Sequence, residues 1–98
     1  KFYLYLAVAE FQAANYEAAA EAAQRAIQIK PGHPSSHLFR TASLGWIGES
    51  DQAQAALKEF LELVPHATAS EIEKTVLYYQ PEDRVRAADG MRRAGLAD

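Results

Sequence analysis

The chain has 98 residues, 49% of them hydrophobic and 23% charged, which bounds it to one domain with one modest core and excludes a disordered segment. Its net charge of −3 gives no general field to draw in nucleic acid or anionic lipid. It has no cysteine, so a disulfide framework and a thiolate metal site are both excluded, and a reducing, cytoplasmic setting fits that usage. No apolar run reaches membrane-spanning length, and Glu10 interrupts the opening KFYLYLAVAEF too early for a signal sequence. The chain opens at Lys1 with neither an initiator Met nor a cap residue, and is read as a segment of a longer protein.

Six helices are predicted in order. The first covers Phe2 to about Ala14, where Tyr3, Leu6, Ala7 and Phe11 recur at three-to-four spacing. Asn15 is expected to take the left-handed turn and cap the second helix, Tyr16 to Ile29, whose Ala19, Ala23 and Ala26 form a small-residue stripe. Pro31, Gly32 and Pro34 end that unit. Ser35 or Ser36 is expected to cap a third helix reaching Ile47, and Ser50 or Asp51 a fourth ending near Leu63, with Gly48 turning the chain between them. Thr68 and Ser70 each precede a glutamate by three residues, the capping-box spacing, and start a fifth helix to about Tyr79. Pro81 opens a sixth, closed by Gly95 after Arg92 and Arg93. Its Glu82, Asp83, Arg84 and Arg86 are expected on a solvated outer face.

The chain repeats itself. A shift of 34 residues carries Ala19 onto Ala53, Ala23 onto Leu57, Ala26 onto Phe60 and Pro31 onto Pro65, and a second shift reaches Ala87, Met91 and Ala94. Self-similarity at such a period means stacked supersecondary units. Asn15-Tyr16, Ala19 and Pro31, followed by Gly48, Ala53, Leu57 and Pro65, resemble the tetratricopeptide repeat over essentially the whole length. The resemblance implies an all-α solenoid of three antiparallel helix pairs, residues 1–34, 35–67 and a degenerate, capping 68–98. His37, Arg40 and Thr41 depart from the repeat pattern, as do Pro81 and Glu82. The final YYQPEDRVRAADGMRRAGLAD is also similar to the C-terminal tails of bacterial signalling proteins that join such repeats to an adenylate or guanylate cyclase domain or to a winged-helix domain.

In that family the first helix of each pair lines a concave groove. Carrying the face across places Leu4, Val8, Phe11, Leu38, Ala42, Trp46, Ile72, Val76 and Tyr79 on one apolar surface. Val8 and Ala42 stand where family members that grip a peptide carboxylate have asparagine, so a charged clamp is not expected. An apolar helix or extended peptide would gain burial there, with Trp46, Leu38, Phe11 and Val76 as anchors. Alternatively these residues contact one another, further repeats, or a second copy in a homodimer.

The remaining candidates read as structural. His33 and His37 have the i, i+4 spacing of metal ligands, but Pro34 lies between them and His66 is in another loop. Arg84, Arg86, Arg92 and Arg93 interleave with Asp83 and Asp89, the pattern of a solvated face rather than a phosphate site. No Gly-rich phosphate loop, catalytic triad or paired-carboxylate signature occurs. The sequence therefore predicts a non-catalytic protein-interaction module with no cofactor or metal and no nucleic-acid or membrane partner. Its partner would be a protein or peptide, or a second copy of itself.

Overall fold

The computed structural model describes residues 1–75 and 80–98. All regular structure among them is helical: α1 (Phe2–Gln12), α2 (Tyr16–Ile29), α3 (Pro34–Ile47), α4 (Ser50–Leu63), α5 (Ala69–Thr75) and α6 (Pro81–Ala94). The expected continuation of the fifth helix to Tyr79 lies outside the described residues.

The turns follow simple backbone chemistry, with three departures from expectation. It is Ala14, not Asn15, that adopts the left-handed conformation (φ 63°). There it closes α1, with Asn15 N–H donating to Glu10 O (2.8 Å) and Ala14 N–H to Phe11 O (3.0 Å), the paired bonds of a Schellman end. Asn15 precedes α2 without a side-chain cap bond. α3 starts at Pro34, whose missing N–H is harmless in a first turn, so Ser35 and Ser36 fall inside the helix rather than ahead of it. α4 is preceded by Glu49, which leaves Ser50 and Asp51 in the first turn. Thr68 does cap: its hydroxyl accepts the Glu71 N–H at 3.2 Å and donates to the Glu71 carboxylate at 3.1 Å. Gly48 (φ 90°) and Gly95 (φ 115°) supply the left-handed ends of α3 and α6.

α3 is the central helix. α2 packs on α1 and α3, and α4 packs on α3 from its other flank. The helices α2 and α4 bury the same register: Ala19, Ala22, Ala23 and Ala26 in one, Ala53, Ala56, Leu57 and Phe60 in the other. Alanine lets the helix axes approach closely, and the large side chains of α3 then fill the seam. His37 is buried in that helix with Nε2 2.7 Å from Pro31 O, and its own carbonyl accepts the Thr41 hydroxyl at 2.7 Å. The histidine thus ties the α2–α3 loop to the helix below it.

The last helix does not lie on the outside. α6 packs chiefly against α3 and then against α5, and its C-terminal Gly95 approaches Leu57 of α4. Ala87, Gly90, Met91 and Ala94 are buried along it. Asp83, Arg84 and Arg86 are partly buried and only Glu82 of the expected polar face is exposed. The correction has a steric cause, since a small-residue stripe on α6 faces a glycine on α3 and lets the backbones meet.

Candidate functional site

The face where α6 crosses α3 and the end of α1 is built on four aromatic rings. Phe11 of α1 meets Tyr16 edge-on at 5.4 Å between centroids and Phe39 of α3 at 5.5 Å. Tyr16 in turn stacks on Trp46 at 5.8 Å with the planes 13° apart. Edge-to-face and offset-stacked pairs at such distances add to burial through ring quadrupoles. Each ring reaches the cluster for a local reason. The Ala14 turn folds Tyr16 back beside Phe11, and Phe39 and Trp46 are two turns apart on α3.

α6 closes this cluster. The Trp46 Nε1–H donates to Arg86 O at 2.8 Å, and the Arg93 guanidinium lies 4.2 Å from the Trp46 ring centroid. Arg86 sits 5.3 Å over Phe11 and donates to Gln12 O (3.0 Å), Tyr16 Oη (3.2 Å) and Asp83 Oδ1 (2.9 Å). Burial alone would lower the Arg86 pKa, but the hydrogen bonds to Tyr16 and Asp83 outweigh it and hold the group above its ordinary value. Between these arginines the two backbones touch. A Cβ added at Gly90 would lie 2.5 Å from Ala42 O, and one at Gly45 would overlap Gly90 O.

A second anchor lies at the other end of α6. Arg92 pairs with Glu73 of α5 (2.7 Å), Asp89 (2.7 Å) and Asp98 (2.6 Å). Hydrogen bonds to Asp98, Glu73 and Asp89, in that order, raise its pKa. Ala69 N–H donates to Ala97 O at 3.0 Å, so the C-terminal residues are fastened to the start of α5.

The residues nominated for an open groove are placed as follows. Phe11, Leu38, Ala42 and Ile72 are buried, and Leu4, Val8 and Trp46 are partly buried. Val76 and Tyr79 lie outside the described residues, as does Tyr78. Phe11, Ala42 and Trp46 are brought together, under α6 rather than facing solvent. Leu38 and Ile72 meet elsewhere, across a small cleft of about 230 Å³ that Phe60 and Val64 also line. The expected open groove is therefore corrected: over its central part it is filled by the chain's own last helix.

Gly45 and Gly90 were not singled out from the sequence, and Arg86 and Arg93 were expected on a solvated face, yet all four make the crossing. The two glycines carried a usable signal. A glycine inside a helix costs about 1 kcal/mol relative to alanine, which points to a close backbone approach. Among the described residues no group of three or more His, Asp or Glu side chains is arranged to hold a metal. No helix among them is long and apolar enough to cross a membrane. Comparison of the chain with protein-family models, curated proteins and solved structures gave no match.

Proposed function

We propose that the chain is a non-catalytic protein–protein interaction module, a tetratricopeptide-like stack of hairpins whose first helices, α1 and α3, form a seat for an apolar helix. One observation carries this reading: α6 already lies on that seat as a helical ligand would, with a small-residue stripe against Ala42 and Gly45 and with Trp46 clamped between Tyr16 and Arg93. An outside helix enters by exchange with α6, which competes at the high effective concentration of a tethered segment. The similarity of the final residues to bacterial signalling tails supports a place in the C-terminal part of a multidomain protein, beside a cyclase or a winged-helix domain.

A dye-labelled peptide of residues 80–98 tests the seat. The Gly90→Leu chain, in which α6 no longer fits over Ala42, should bind the peptide saturably and more tightly than the parent chain does. Circular dichroism of the same variant checks that the helices of α1–α4 persist. Absence of binding to a helical Gly90→Leu chain would overturn the proposal. Homotypic association is the second reading, favoured by the exposed Phe2 and Tyr5, and light scattering of the purified chain decides it.

A further inference from the structure

The seat under α6 is rich in electrons. It turns to α6 the rings of Phe11 and Trp46, the Tyr16 hydroxyl oxygen and the Gln12 carbonyl. Gln12 is the last residue of α1, so that carbonyl stands at the negative end of a helix dipole. Glu10 and Glu17 line a cleft beside Tyr16 and add to the negative potential there. Among the described residues no carboxylate of α1–α4 is paired with Arg86 or Arg93; the one acid on Arg86 is Asp83 of α6 itself.

α6 meets these groups through three positions on one stripe. Arg86, Gly90 and Arg93 recur at i, i+4 and i+7, which places them on one face of the helix. The Arg86 guanidinium reaches Phe11, Gln12 O and Tyr16 Oη, and Arg93 lies on the Trp46 ring. Between them Gly90 admits Ala42 and Trp46 to the helix backbone. The Trp46 Nε1–H bond goes to the Arg86 carbonyl, which any helix would supply. What the seat can tell apart is therefore the size of one side chain and the charge of two.

We infer that the seat selects a cationic helix of another protein, one with a glycine where α6 has Gly90 and arginines four residues before it and three after. The inference rests on the seat reading given above and names the partner's chemistry. A neutral or acidic helix would cover the Gln12 carbonyl and Tyr16 Oη without a donor and leave both rings without a cation. Arginine is required at the first position, because an ammonium cannot serve Gln12 and Tyr16 in the same planar fork. A second copy's α6 carries the same side chains but gains nothing over the chain's own α6, which is tethered and so at high effective concentration.

The test titrates the Gly90→Leu chain with labelled peptides of residues 80–98 that differ at single positions. Arg86→Ala and Arg93→Ala in the peptide should each raise Kd about tenfold, and Gly90→Leu in the peptide should abolish binding. Alanine is the better helix former, so such losses do not come from a less helical peptide. Arg92→Ala removes the same charge from a side chain that pairs with Glu73, Asp89 and Asp98 rather than with the seat. It should change Kd by no more than about twofold. If the parent peptide binds and the arginine variants bind equally well, or if Arg92→Ala costs as much as they do, the inference is overturned while the seat reading stands. Binding by none of the peptides would bring down the seat reading and this inference with it. A dimer of the parent chain that Gly90→Leu dissociates would overturn the assignment to another protein, since the occupant would then be a second copy.

Discussion

Gly45 of α3 and Gly90 of α6 cross backbone to backbone, with no room for a methyl group on either. An alanine Cβ at Gly45 would overlap the Gly90 carbonyl, and one at Gly90 would stand 2.9 Å from both Ala42 Cα and Trp46 Cδ1. Backbone cannot yield as a flexible side chain can, so relief requires the helices to part. Alanine's better helix propensity offsets only about 1 kcal/mol. Gly45→Ala and Gly90→Ala should each therefore destabilise the fold by a net of about 2–3 kcal/mol. Urea denaturation checks this, and a midpoint at or above that of the parent would place α6 elsewhere.

Trp46 holds α6 through its bond to Arg86 O and the Arg93 guanidinium and is itself braced by Tyr16 of α2, and substitutions can divide these contacts. Trp46→Phe keeps a ring between Tyr16 and Arg93 but removes the Nε1–H bond to Arg86 O. That change should cost about 1 kcal/mol. Trp46→Ala also removes the stacked ring and leaves a cavity, for a loss of about 3 kcal/mol. Equal losses in the two variants would mean that the hydrogen bond, rather than the ring, fixes the helix.

Arg86 is a fork with three acceptors on three parts of the chain, Gln12, Tyr16 and Asp83. An ammonium cannot span that set with the same planar geometry. Arg86→Lys should lower stability by about 1–2 kcal/mol while leaving the formal charge unchanged. If lysine proves neutral, the site needs only a positive charge near Asp83.

Ala14 ends α1 at φ 63°, where an L-residue pays about 1–2 kcal/mol that glycine does not. Glycine loses part of the advantage through its freer unfolded chain. Ala14→Gly should raise stability by about 0.5–1 kcal/mol, read as a melting point a few degrees higher. A fall would mean that the left-handed turn is not populated in solution.

The six helices and the matched small-residue faces of α2 and α4 follow from local rules. Ala19 and Ala53, Pro31 and Pro65, and Gly48 and Gly95 act through spacing, backbone conformation and propensity, all of which operate within a few residues. The boundaries that shifted by about two or three residues, at Ala14 and Pro34, are where two residues competed for one local role. The candidate site was legible only in part. Helical spacing puts Ala42 and Trp46 on one side of α3, whereas grouping them with Phe11 of α1 rested on the repeat resemblance. That the chain itself covers them was not legible, since the covering residues lie about forty positions or more away and their side chains read as polar surface.

Sequence alone thus determined the helices, their register and the apolar face of α1 and α3, since each depends on the short-range geometry of one helix. Only the tertiary structure decided that α6 fills that face while the opposite side of α1 stays bare. That choice turns on whether two distant backbones can touch, and it took both Gly45 and Gly90 to allow it.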